Sequence, residues 1–119
     1  MGYNGAMKFV TKKQSIQHKN SDTCIAIEYP MADKDLNCAL IKLDGRYPET
    51  GFLVNKVCKE LVYILKGAGV VGLGTGEQTL RADDMLILDP GEKYYFEGQL
   101  EMLMPCSPAW YPEQHKEIT

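Results

Sequence analysis

Glycine, proline and aspartate interrupt this chain at short, regular intervals from Thr23 onward, and nothing constrains its fold more. The interruptions are Asp44-Gly45, Gly67-Ala-Gly69, Gly74-Thr-Gly76, Asp83-Asp84, Asp89-Pro-Gly91 and Glu97-Gly98. Between them the residues are β-branched, aromatic or alternating, so each interval is long enough for a strand and too short for a helix. The reading gives strands at Thr23–Tyr29, Leu36–Leu43, Gly51–Asn55, Cys58–Lys66, Val70–Leu73, Glu77–Arg81, Met85–Leu88, Lys93–Phe96 and Leu100–Pro105, with turns at the interruptions. Strands at this spacing predict an all-β sandwich or barrel. Helical character is confined to Tyr111–Ile118, where Pro112 suits a first helical position, so a short C-terminal helix is expected.

Gly67-Ala-Gly69-Val-Val-Gly72 spells Gly-x-Gly-x-x-Gly after a strand. A dinucleotide site needs a helix to open there, and Gly74 and Gly76 would weaken any such helix. The glycines are read as hairpin turns.

The chain of 119 residues is expected to form one domain, with 1–22 a polar lead-in and 23–119 the barrel. A net charge of −3 gives no basic surface for nucleic acid or an anionic membrane. No apolar run reaches membrane-spanning length. The opening Met1–Met7 lacks the apolar core of a signal sequence, which predicts a cytoplasmic protein. Cys24, Cys38, Cys58 and Cys106 form no Cys-x-x-Cys pair and are expected to be free buried thiols.

The candidate site begins with Glu60, a single carboxylate at the head of the apolar strand Cys58–Lys66. A carboxylate entering a buried strand is costly without a partner or a task. If Glu60 faces inward, alternation turns Cys58, Val62 and Ile64 inward with it. Lys56 shares that parity, and a bulge would bring Asn55 inward in its place.

Glu60, six residues and then Gly67 resemble the second half of the first cupin motif, in which His-x-His precedes the glutamate. The His-x-His positions fall on Val54 and Lys56, or on Leu53 and Asn55. In the second motif Asp83 stands for the opening glycine, Asp84 and Gly91 match, Pro90 sits one place late, Tyr94 replaces the histidine and Gly98 the asparagine. Pro108-Ala-Trp110-Tyr-Pro-Glu-Gln-His115 is similar to the closing segment of small bacterial cupins. The resemblance covers Leu36 to Trp110 and implies a double-stranded β-helix, or jelly-roll barrel.

Metal-binding cupins use three histidines and the glutamate. This chain keeps only Glu60, and His18 and His115 lie outside the motifs, so no metal and no other cofactor is expected. With Tyr94 inward by the motif and Phe96 on the same face, the implied cavity is apolar and aromatic, with Asn55, Lys56, Cys58 and Glu60 at its polar side. That composition suits a small organic ligand.

Each residue also has a structural reading. Glu60 would pair with Lys56 or hydrogen-bond Tyr94, Tyr94 would be a packed tyrosine, and Cys58 a buried thiol that becomes reactive only beside Lys56. Leu100, Met102 and Met104 would be core.

Three functions follow as expectations. The first is metal-free binding of a small molecule. The second is an isomerase or epimerase with Glu60 as base and Tyr94 as acid. The third is a homodimeric interaction module whose strand Thr23–Tyr29 pairs with a second subunit.

Overall fold

The computed structural model describes residues 7–119. The glycine-rich opening lies almost wholly outside them. Among the described residues nine strands carry the fold: β1 (Ile16–Lys19), β2 (Cys24–Tyr29), β3 (Asn37–Tyr47), β4 (Phe52–Asn55), β5 (Lys59–Leu73), β6 (Gly76–Arg81), β7 (Met85–Leu88), β8 (Lys93–Ser107) and β9 (His115–Ile118). The lead-in therefore contributes a strand, β1, which pairs with β2 while all four of its residues stay exposed.

All pairings are antiparallel, in the order β1-β2-β3-β8-β4-β9, with β5 joined to β8 and carrying β6 and β7. The two 15-residue strands, β5 and β8, form the spine of a curled sheet. Strand β8 pairs first with β4 and then with β3, while β5 runs beside it from Lys59↔Ser107 to Leu73↔Tyr94. Exchange of partners along one long strand is how a single sheet curls toward closure.

Three expected turns prove to be strand interior. Gly45, Gly98 and Gly69 lie opposite one another across β3, β8 and β5. Gly45 and Gly98 have φ of +126° and +133°. A Cβ on Gly69 would overlap the Glu97 carbonyl oxygen, and one on Gly98 would come within 2.5–2.6 Å of the Ala68 oxygen and Gly69 Cα. Glycine here lets three strands bend and approach closely, rather than reverse. Hence Asp44-Gly45, Gly67-Ala-Gly69 and Glu97-Gly98 pass through β3, β5 and β8. A bulge does sit in β5, at Leu65, where Ile64↔Met102 is followed by Lys66↔Glu101.

The genuine reversals keep their chemistry. Asp83, in the place of the motif glycine, has φ of +75° and accepts a hydrogen bond from Tyr63 Oη at 2.6 Å. Asp is among the few side chains that tolerate that region.

The tail departs most from expectation. Pro112–Gln114 makes one 3-10 turn, and His115–Ile118 then runs as β9 along β4, with Asn55 opposite His115. The proline fits the start of any turn of this hand, and one turn is all it makes.

Val62, Ile64, Val71, Leu80, Leu88, Leu100 and Met102 form the packed interior. Every second residue from Cys58 to Ile64 is buried, as alternation requires. Cys24, Cys58 and Cys106 are buried free thiols and Cys38 is half-buried.

Candidate functional site

One end of the interior is hollow. A cavity of about 170 Å³ opens between β2, β3, β4 and β8, with Glu60 as the sole contribution of β5 to its wall. Cys24, Ala26, Cys38, Ala39, Ile41, Leu43, Leu53, Met102, Met104 and Cys106 give it an apolar, sulfur-rich lining. Tyr47, Tyr94, Phe96 and Trp110 add aromatic faces; the Tyr94 and Phe96 rings meet edge to face, 5.7 Å apart. The polar groups are Asn20, Glu28, Asn37, Glu60 and His115, and among the described residues no lysine or arginine lines the wall.

Glu60 is 7% exposed. Its Oε1 accepts a hydrogen bond from Asn55 Nδ2 at 2.5 Å. Burial pushes the carboxyl above its ordinary value, and the hydrogen bonds from Asn55 and Tyr94 offset part of that shift. The same burial, with the adjacent Glu60 charge, drives the Tyr94 phenol well above its usual range.

Asn55 is the hub of the polar end. Its Oδ1 accepts from Gln114 Nε2 at 3.0 Å and lies 2.8 Å from His115 Nδ1. Gln114 in turn accepts at Oε1 from the backbone N–H groups of Val57 and Cys58, each at 3.1 Å. The backbone joins in. Gly91 N–H donates to the Asn55 carbonyl at 2.7 Å, and Lys56 N–H to the Gln114 carbonyl at 2.9 Å. The β4–β5 connection, the Asp89–Gly91 turn and the tail are thus held at one point. No buried side-chain nitrogen or oxygen among the described residues lacks a partner.

The residues singled out by sequence divide into three groups. Glu60, Tyr94 and Phe96 line the cavity. Asn55 is buried behind the wall, bonded to Glu60, and Cys58 is fully buried off the cavity. Lys56 is exposed, which corrects its placement among ligand contacts and removes it as a partner of Glu60. The irregular segment between β4 and β5 breaks the parity on which Lys56 was placed inward. Without Lys56, burial holds the Cys58 thiol above its ordinary value, so it is not activated.

Sequence reasoning missed Gln114, His115 and Trp110. The Trp110 and His115 rings lie 5.3 Å apart at the cavity wall. A helix over Tyr111–Ile118 left no reason to bring them there. Gln-His-Lys-Glu-Ile at 114–118 shows no apolar/polar alternation, so no local signal marks it as a strand.

The residues present do not fit the metal site of metal-binding cupins, which the motifs resemble. Among the described residues, no three His, Cys, Asp or Glu side chains converge. One Glu60 oxygen is taken up by an amide donor, and the His115 Nδ1 is turned to Asn55.

No family model matches the sequence. No curated protein matches it. Solved structures do match. A Streptomyces Pac13 variant with uridine has a TM-score of 0.83 at 17% identity, over 93% of this chain and 90% of that one. Pac13 is a nucleoside dehydratase. KdgF from Halomonas sp. gives 0.71 at 16% identity, over 88% and 96% of the two chains. Ectoine synthase from P. lautus gives 0.65 at 17%, over 85% and 80%. Oxalate decarboxylase from Bacillus subtilis and a cupin-superfamily sugar phosphate isomerase share the architecture. The chain has the cupin fold. No helix among the described residues is long and apolar enough to cross a membrane.

Proposed function

We propose that this protein binds a small organic molecule in the hollow end of the barrel, without a metal, with Glu60 and Tyr94 orienting the ligand. The observation that carries the reading is Glu60 itself. A carboxyl in an apolar wall, held by the Asn55 amide and beside the Tyr94 phenol, has a cavity in front of it. Pac13, which shares the fold, has been solved with uridine, and nucleosides are therefore sensible first probes. Thermal-shift screening with nucleosides, sugars and aromatic metabolites tests it. A ligand at about 100 times its Kd stabilises by about 2.7 kcal/mol, which is readily seen. No stabilisation by any of them, with a crystal structure showing the barrel filled by its own side chains, would sink the proposal.

A second reading is proton transfer, as in an isomerase or epimerase, with Glu60 as base and Tyr94 as acid. Its support is the upward shift of the Glu60 pKa by burial, which brings the carboxyl's titration nearer to neutrality. A Glu60→Gln variant that turns over substrate as fast as the wild type excludes it.

The homodimer is likewise proposed, on a revised surface. Strand β2 is flanked by β1 and β3 and has no edge to offer a second subunit. Leu65, Met85, Ile87 and Leu103 are exposed, with Tyr63 opposite both Met85 and Leu103 in register, and form an apolar outer face on β5, β7 and β8. A monomer by light scattering at high concentration counts against it.

A further inference from the structure

The polar end fixes more than the position of Glu60. Two backbone N–H groups, of Val57 and Cys58, point at Gln114 Oε1, and only an acceptor can sit there. Gln114 Nε2 is therefore the donor to Asn55, so the Asn55 atom facing it is the carbonyl oxygen. Asn55 Nδ2 is left to donate to Glu60 Oε1. The same carbonyl oxygen faces His115 Nδ1 at 2.8 Å, which requires a proton on Nδ1. Each orientation follows from the one before, and the chain starts at backbone groups that cannot flip. Burial lowers the His115 pKa, which favours the neutral ring. A neutral ring with its proton on Nδ1 has a bare Nε2. No hydrogen bond within the described residues occupies that nitrogen, and His115 lines the cavity.

The wall's charges point the same way. Its ionisable groups are Glu28, Glu60, His115, the three thiols and the two tyrosines. His18 meets Glu28 from outside at 3.4 Å. Among the described residues no lysine or arginine lines the wall to receive an anion, and burying an unpaired charge is costly.

We infer that His115 Nε2 is a fixed hydrogen-bond acceptor for the ligand, and that the cavity takes an uncharged or cationic molecule bearing a hydroxyl, amide or amine hydrogen and rejects anions. The inference rests on the ligand-binding reading and narrows it. Sugar phosphates and carboxylic acids are outside the class; nucleosides, polyols and amines are inside it.

Nitrogen-15 spectra of the imidazole rings in the full chain test the first half. The His115 signals are expected to be those of a neutral ring protonated at Nδ1; a neutral ring protonated at Nε2 overturns the inference. Benzyl alcohol, benzylamine and benzoate, which share one ring and differ in charge, test the second half. The first two are expected to shift the side-chain signals of Asn55, Gln114 and His115, and benzoate is not. Benzoate shifting them as strongly as benzyl alcohol overturns this inference alone. No shift from any of the three overturns the ligand-binding reading and this inference with it. In a folded His115→Phe variant the affinity for benzyl alcohol is expected to fall about tenfold, as the loss of one hydrogen bond implies; unchanged affinity also overturns the inference.

Discussion

The two halves of β5 belong to two different kinds of interior. Beyond the Leu65 bulge, Gly67, Gly69 and Gly72 let β5 and β8 approach until side chains or carbonyls leave no room for a Cβ. At the start of the strand Glu60 faces a cavity, and the polar groups behind the wall are satisfied by other side chains rather than by close packing, whereas from Val62 onward the inward side chains already belong to the packed end. Val62, Ile64, Leu80 and Leu100 are buried yet touch no part of the cavity. The solid end is stabilised by burial and dispersion, which tolerate no vacancy. The hollow end is stabilised by hydrogen bonds, each worth little net but expensive to leave unmade. Keeping them apart lets the site stay open without loosening the fold.

The sharpest way to break this division is to damage each end in turn. Ile64→Ala, at the solid end, is expected to cost about 2–5 kcal/mol in urea denaturation. Asn55→Ala strips partners from Glu60, Gln114 and His115 together, and is expected to cost about 1–3 kcal/mol while abolishing ligand stabilisation. If Asn55→Ala costs more than Ile64→Ala, the polar end is holding the fold and the division fails.

A subtler effect concerns pH. The folded-state pKa of Glu60 lies above its unfolded value, so the native state holds this proton more tightly. Stability from this group is fully present below the unfolded pKa and is lost as pH rises through the folded pKa. Glu60→Gln keeps the Asn55 hydrogen bond and removes that loss. The variant is expected to gain melting temperature relative to the wild type as pH rises from 4 to 8 (the range expected to bracket the transition); a constant difference would show that Glu60 is not desolvated. Smallest of all, Lys56→Ala is expected to change stability by less than about 0.5 kcal/mol and ligand affinity not at all, because the residue is on the surface.

Much of the fold could be read locally. Alternation placed Cys58, Glu60, Val62 and Ile64 on one face, and the turn chemistry of Asp83-Asp84 and Asp89-Pro-Gly91 marked true reversals. Gly45, Gly69 and Gly98 misled because a turn and a tight strand crossing draw on the same freedom of glycine. Only partners distant in sequence tell the two apart. The site was half legible for the same reason. Glu60 stands out as an acid in an apolar strand, whereas His115 acquires meaning only from its register with Asn55, and Gln114 only from the loop it caps. A proline that starts a single turn reads, locally, like one that starts a helix.

The central claim is that the Glu60 carboxyl is buried at the wall of a hollow barrel end, held by Asn55. A carbon-13 titration of its side-chain carboxyl in the ligand-free protein tests this most directly. The account expects a midpoint above the ordinary glutamate range, rising further in Asn55→Ala when the amide that favours the charged form is gone. A midpoint at or below the ordinary range, unmoved by Asn55→Ala, would contradict it.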